Sequence, residues 1–430
     1  MHKFSKKNLL DGTVIGAALF SMFFGAGNMI FPPYLGLKSG TEWIIAFLFY
    51  FIADIGLAII AVMAQIKVGG GRQLLEPLGK RMGPIFMFVV MLCIGPIITI
   101  PRTAATTYEL SITPLAPNFN MPLFYAIFFT VVLLLCIKKS AVVDIVGKIL
   151  TPLLFIGLMI LIIIGVINPL GEINIPPRTV SVVASSIEAG YQSMDVLAAI
   201  IFGVLIIGSL GDKGYRKKED KFTVAAISSA VSGVALMIIY LGLTYLGASA
   251  AAHYNMHITR TELLISIIKT LIPGTAGIIF FAVIAGLACL STAIALTGSA
   301  AEYVANITKN KIKYPTVVVL ICVFDTVISC LGVEQLINIA SPVLSIIYPP
   351  ILVIVILSLI REKLNPWCFR AAGYTALLIS VLSILPSFGL DMPFIRMLPL
   401  SRIGFAWLLP SAIAGIIGWV IGTVSQKKKT

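Results

Sequence analysis

Three clusters in this sequence combine residue types and spacings that do chemistry. The first is Phe23-Phe24-Gly25-Ala26-Gly27-Asn28, inside an apolar run long enough to cross a bilayer. In hydrocarbon every backbone N–H and C=O must be paired, so a helix breaks at membrane depth only where protein or a wet cavity rescues the freed groups. Two glycines and an asparagine lower helix propensity where it is needed most. A break there presents the free N–H groups and positive dipole end of the following half-helix, which suit a carboxylate, while the carbonyls ending the first half suit a cation. Close packing competes as an explanation, because Gly12 and Gly16 on the same helix already form a G-x-x-x-G face.

The second cluster is Gly190-Tyr191-Gln192-Ser193-Met194-Asp195, after which the chain turns strongly apolar from Val196 to Leu210. A carboxylate inside a span costs at least about 2.5 kcal/mol, so Asp195 must face a partner or a cavity. The third is the hydroxyl pair Ser291-Thr292, which serves either as ordinary back-bonding to the helix or, with carbonyl oxygens, as a hard cage suited to a monovalent cation such as sodium. Asp54, Arg102, Glu188 and Asp325 are further ionisable groups in or near spans; Arg102 could pair with Asp195 or with Glu109.

The elements that hold these clusters follow from composition. With 59% hydrophobic residues, 11% charged residues and a mean hydropathy of +1.03, the chain has too much apolar surface for a soluble interior to hide. Spans are expected at 12–36, 41–66, 83–112, 119–137, 141–167, 181–210, 222–248, 275–305, 315–332, 335–360, 370–389 and 401–424. The reading is an all-α polytopic membrane protein of 12 transmembrane helices, a single transporter domain over 1–430. Of the 31 lysines and arginines, 24 fall on the side of the N-terminus, six on the other, and Arg102 lies deep within a span. By the positive-inside rule both termini are cytoplasmic. The net charge of +13 alternates with the loops instead of forming one basic face, which excludes a nucleic-acid footprint and leaves the bilayer as partner.

Helices one to five relate to helices six to ten as an inverted 5+5 repeat, with repeat 1 over about 8–167, repeat 2 over about 178–360 and two additional C-terminal helices over about 370–424. Helices 1 and 6 are the interrupted pair. Short surface helices are expected within Gly69 to Gly83 and Ala251 to Gly274. Gly69-Gly70-Gly71-Arg72 lacks the strand and Gly-Lys-Ser/Thr of a phosphate loop and reads as a flexible turn. The six cysteines show no C-x-x-C spacing, and His2, His253 and His257 have no metal-ligand array around them, the H-x-x-x-H of the last two falling in an external loop, so no cofactor is expected. No acid-rich or nucleophile motif supports an enzyme. A channel or a non-transporting nutrient receptor remains open, because fold does not dictate function.

GAGNMIFPP (Gly25 to Pro33), PRTAATTYE (Pro101 to Glu109), GYQSMDVLAAIIFG (Gly190 to Gly203) and SPVLSIIYPP (Ser341 to Pro350) make the chain similar, over essentially its full length, to the branched-chain amino acid transport system II carriers, the BrnQ-type LIV cation symporters. The resemblance implies a LeuT-like fold and sodium-coupled symport of leucine, isoleucine and valine by alternating access in the bacterial cytoplasmic (inner) membrane, with no obligate protein partner. Coupling to protons, or transport of another neutral amino acid, is the alternative within that fold. The resemblance further implies a sodium site from Ser21, Phe24, Ala288, Ser291 and Thr292. It gives the substrate carboxylate to N–H groups around Gly25, Ala26 and Gly27, next to Asn28, and the ammonium to carbonyls of Tyr191, Gln192 and Ser193, with Asp195 adding charge.

Overall fold

The computed structural model describes residues 5–137 and 151–427. The first part of the expected fifth span, 141–150, with Lys138, Lys139 and Lys148, lies outside the described residues. In chain order the helices are α1 (Lys6–Phe23), α2 (Ala26–Ser39), α3 (Trp43–Phe51), α4 (Leu57–Val68), α5 (Gly71–Leu75), α6 (Met82–Leu92), α7 (Thr99–Thr107), α8 (Met121–Ile137) and α9 (Thr151–Ile167). They continue as α10 (Val182–Ser193), α11 (Asp195–Asp212), α12 (Lys218–Ser249), α13 (Arg260–Leu271), α14 (Thr275–Ile307), α15 (Tyr314–Ile328), α16 (Val333–Ser358), α17 (Pro366–Ile384), α18 (Pro393–Met397) and α19 (Leu408–Lys427). Among the described residues nine helical stretches are long and apolar enough to cross a membrane, and Met121–Ile137 and Pro152–Ile167 are shorter apolar helices. Side chains such as Leu134, Ile416 and Val323 are more than half exposed on outer faces, where acyl chains are their natural solvent.

Two expected spans are broken. Phe24 (φ −75°, ψ 95°) and Gly25 (φ −120°, ψ −168°) are extended between α1 and α2, and Met194 (φ 67°, ψ 16°) is left-handed between α10 and α11. A left-handed conformation costs a non-glycine residue roughly 1–2 kcal/mol, so Met194 marks a place where the surroundings over-determine the backbone. Three other rods are continuous but bulged by π-helical turns: Ile52–Gly56 between α3 and α4, Cys93–Ile97 between α6 and α7, and Tyr108–Ile112 after α7. Pro96 removes a backbone donor in the second, and Gly95 leaves helical geometry there (φ −87°, ψ −126°).

The long α12 supports the first break. Both α1 and α2 pack along it, and glycines set the approach. A Cβ on Gly16 would stand 2.8 Å from the Ser228 carbonyl oxygen, so the G-x-x-x-G face is indeed a packing face. Higher up, the Gly36 Cα lies against the Thr244 carbonyl, and a Cβ there would also come within 2.7 Å of the Ala248 nitrogen. The C-terminal pair α17 and α19 pack chiefly on one another. Gly69 and Gly70, expected as a flexible turn, are a left-handed cap (φ 101°) and a second positive φ (138°), after which Gly71 opens α5. Within Ala251 to Gly274 the expected surface helix is α13, opened by a Thr259/Glu262 capping box.

Gly36→Ala should lower stability by about 1–3 kcal/mol through overpacking against backbone that cannot yield. Gly208→Ala, where a Cβ meets nothing within 4 Å, should be neutral or slightly stabilising. Thermal unfolding of the two variants in detergent would show the contrast.

Candidate functional site

Asn28, in the first turn of α2, holds the site together. Its amide nitrogen donates to the Phe23 carbonyl across the break (2.8 Å), to Asp195 Oδ2 at the start of α11 (2.8 Å), and to the Tyr240 hydroxyl on α12. Two amide hydrogens are thus shared among three acceptors, and one side chain joins both broken helices to their support. The Phe23 carbonyl, freed by the break, is satisfied by that side chain instead of by water.

Beside it stands Arg102 on α7, 1% exposed. Its Nη1 donates to the Gln192 carbonyl (2.6 Å), and a Cβ on Gly27 would lie 3.1 Å from its Nη2, so a side chain there would crowd the guanidinium. Among the described residues Arg102 forms no salt bridge. The pairing with Glu109 considered from sequence is excluded, because Glu109 instead accepts from the Thr261 hydroxyl (2.6 Å) and the Val333 amide (2.9 Å). Asp195 takes its direct hydrogen bond from Asn28, with Arg102 as an electrostatic neighbour.

A cavity of about 400 Å³ including its mouth opens among these groups. One wall is Gly25, Ala26 and Gly27 with Arg102: the amide end of α2 and a cation, together suited to a carboxylate. Ser193 and Asp195 belong to the same lining and supply its anionic group. Met22, Ile94, Ala198, Phe202 and Leu296 supply apolar surface. Met22 precedes the first break, while Ala198 and Phe202 follow the second, so the cavity runs toward the half of the protein that carries the N-terminus. There Asp11 accepts from Lys213 (2.7 Å) and from the Tyr215 hydroxyl (2.8 Å), tying α1 to the end of α11. Toward the other half the path is shut. Arg102 and Arg260 each lie 5.6 Å from the Phe31 ring centroid, Arg260 also covers Tyr34 at 4.6 Å, and it is ion-paired to Glu334.

Of the residues expected at the substrate site, Gly25, Ala26, Gly27, Asn28, Ser193 and Asp195 line the cavity, whereas Tyr191 and Gln192 do not. The Tyr191 carbonyl accepts from the Met194 amide (3.2 Å), and its ring stacks on Tyr348 with centroids 4.5 Å apart. The Gln192 carbonyl is engaged by Arg102. An ammonium group in the cavity is therefore left with Ser193 and Asp195. Of the expected cation ligands, Thr292 lines the cavity; Ser21, Phe24, Ala288 and Ser291 lie outside its lining. The hydroxyls of Ser291 (2.8 Å) and Thr292 (3.0 Å) both donate to the Ala288 carbonyl, which leaves their lone pairs available to a cation. A Cβ on Gly25 would lie 3.9 Å from Thr292 Oγ1, so the first break and the α14 hydroxyls are neighbours. Sequence reasoning missed Tyr240, which carries no signal beyond an aromatic in an apolar run, and the apolar wall, whose residues come from four helices.

Fold and site together define a multi-pass membrane transporter with the LeuT-like arrangement of two broken helices. Solved structures with this fold include Mhp1, a nucleobase-cation-symport-1 family transporter, in a closed conformation with bromovinylhydantoin bound (TM-score 0.63, 15% identity, covering 96% of this chain and 93% of that one). Others are a sodium-coupled sialic acid symporter in a substrate-bound outward-open state (TM-score 0.62, 13% identity, 95% and 89%) and MhsT in complex with L-phenylalanine (TM-score 0.56, 17% identity, 98% and 98%). The chain belongs to the branched-chain amino acid transport protein family, whose model matches residues 8–425. It is 31% identical to the branched-chain amino acid permease BrnQ of Bacillus subtilis, over 96% of this chain and 97% of that protein. With BrnQ of Escherichia coli the identity is 32% over 98% and 97%. The protein is an amino acid transporter of the membrane, not an enzyme.

Asn28→Ala would strip the donor from both the Phe23 carbonyl and Asp195, leaving buried acceptors unsatisfied at a cost of about 1–3 kcal/mol. Binding of the amino acid to purified protein should weaken about tenfold or more, with the variant still folded; unchanged affinity would separate Asn28 from the site.

Proposed function

We propose that this protein imports leucine, isoleucine and valine by sodium-coupled symport. The observation that carries the reading is the cavity at the two breaks, whose lining combines a cation and free helix amides, a carboxylate and apolar side chains. That layout matches the two charges and the branched side chain of a zwitterionic aliphatic amino acid. Arg102 and the amides of Gly25 to Gly27 take the carboxylate, Ser193 and Asp195 take the ammonium, and Met22, Ile94, Ala198, Phe202 and Leu296 take the side chain. Filling such a wall is worth about 0.8 kcal/mol per CH₂, enough to prefer leucine over alanine by well over tenfold. A wall of this kind separates leucine from isoleucine poorly.

Sodium binds between α1 and α14, with the hydroxyls of Ser291 and Thr292, the Ala288 carbonyl and the main-chain oxygens of Ser21 and Phe24. Support for this site is the approach of Gly25 to Thr292. By bridging the two elements, the ion biases the equilibrium between states open to either side, and its gradient supplies the work. The transporter has twelve crossings and lies in the bacterial inner membrane with both termini in the cytoplasm. Support comes from the Lys/Arg asymmetry of the loops and from the succession of apolar helices.

In proteoliposomes, leucine uptake should collapse when the sodium gradient is removed. Thr292→Ala should raise the sodium needed for half-maximal uptake at unchanged protein abundance. Uptake that ignores sodium would reject the coupling, and wild-type sodium dependence in Thr292→Ala would reject the ion site.

A further inference from the structure

Behind the cavity, the π-helical turn Ile52–Gly56 turns Asp54 inward. Its side chain is fully buried, and among the described residues neither carboxylate oxygen makes a hydrogen bond of good geometry. The turn packs on α10, where a Cβ on Gly190 would stand 2.8 Å from the Ala53 Cβ and 3.2 Å from the Asp54 nitrogen. The absence of a side chain at Gly190 brings Asp54 up to the second break. The polar groups close enough to act on it are Ser193, Asp195, Tyr240 and Tyr50. Asp195 is itself only 4% exposed and takes its one hydrogen bond from Asn28.

Two carboxylates facing each other at membrane depth cannot both be bare. Each alone costs several kcal/mol to desolvate, and their repulsion adds to that. The surrounding ionisable groups do not neutralise them both. From α7 the guanidinium of Arg102 acts on Asp195 but bonds the Gln192 carbonyl; from α12 and α16 come Tyr240 and Tyr348; from α3 comes Tyr50. Glu188 on α10 is engaged by the Ser341 hydroxyl (2.9 Å). The Tyr50 hydroxyl, fully buried beside the pair, likewise makes no geometrically good hydrogen bond among the described residues, and Asp54 and Ser193 are among the polar groups nearest it. Its ring packs on Tyr240, with centroids 5.3 Å apart, and the Tyr240 hydroxyl is bonded by Asn28.

We propose that Asp54 and Asp195 form an acid pair that holds one proton, resident on Asp54, so that Asp195 alone carries the negative charge of the substrate site. A proton fits where a metal ion does not. Asp54 lies outside the cavity lining and is sealed from solvent, and among the described residues no group of three or more metal-ligating side chains gathers around it. The proton adds no volume, cancels one of the two charges, and gives Asp54 an O–H to donate to Asp195 or to a neighbouring hydroxyl. At the same time Asp195 stays ionised to meet an ammonium group. The site is separate from the α1–α14 sodium site and does not depend on it.

Leucine counterflow exchange at saturating sodium, followed from mildly acidic to alkaline pH, tests the pair. Wild-type exchange should fall on the alkaline side by about tenfold per pH unit, the slope of a single proton. Asp54→Asn, which copies the protonated acid, should keep exchange within about tenfold of wild type and lose the alkaline limb. A variant that shares the wild-type alkaline limb overturns the proposal. So does a folded variant in which exchange drops several hundredfold at every pH, since that is the mark of a buried anion whose charge was needed. Infrared difference spectra of the wild-type protein guard against a variant that does not fold. A protonated carboxylic acid band should vanish over the same pH interval as exchange, and an alkaline limb without that band overturns the assignment.

Discussion

Main-chain polarity in a medium without water governs this protein. Every carbonyl and amide released by a break at membrane depth has to find a partner in protein or a wetted cavity. At the first break the partner is a side chain: Asn28 reaches back over Phe24 and Gly25 to the Phe23 carbonyl and with the same amide holds Asp195. At the second break, Arg102 reaches in from α7 to the Gln192 carbonyl. The first interruption is secured by a residue of its own second half and the second by one from α7, and the Asn28–Asp195 bond joins the two breaks into one unit. The α2 amides, Arg102, Ser193 and Asp195 can face a common space only because of these two clasps.

The same clasps explain why charge is tolerated there. An arginine and two aspartates buried in one region would be ruinous if solvated by hydrocarbon alone. Here Arg102 is bonded to a carbonyl and lies over the Phe31 ring, and Asp195 is held by Asn28. Glycine makes the spacing workable at Gly27, where a side chain would meet the guanidinium, and at Gly190, where it would push Asp54 away. The left-handed Met194 stores strain beside them, as expected of a backbone held for function and not for stability.

Asymmetry between the two ends gives the site a direction. Phe31, Tyr34, Arg260 and Glu334 build a thick closure on one side, with α13 lying over α2. On the other side the cavity wall continues along Met22, Phe202 and Leu296, and α1 is tied to α11 by Asp11 with Lys213 and Tyr215. The first closure depends on one half-buried ion pair and ring contacts, the second on one lysine and one tyrosine. Both are small enough to be broken when the state of the central site changes, as a carrier requires.

Composition, the spacing of apolar runs and the loop charges fixed the membrane as solvent and the number of expected spans, because bilayer thickness imposes a length that sequence displays directly. Local propensity marked the break at Gly25 to Asn28 and the polar cluster at Gly190 to Asp195, since glycine and buried polar groups are visible one residue at a time. The partners were not visible. Asn28 meets Asp195 across 167 positions and Tyr240 across 212, and Arg102 meets Gln192 across 90. Tyr191 and Gln192 have carbonyls suited to an ammonium by sequence, yet tertiary contacts with Met194 and Arg102 consume them. Asp54 read only as an acid in a span until a π-helical turn and a glycine on another helix set it against Asp195. Helical packing sets which polar groups share a space, and packing is a property of pairs of helices that no single segment encodes.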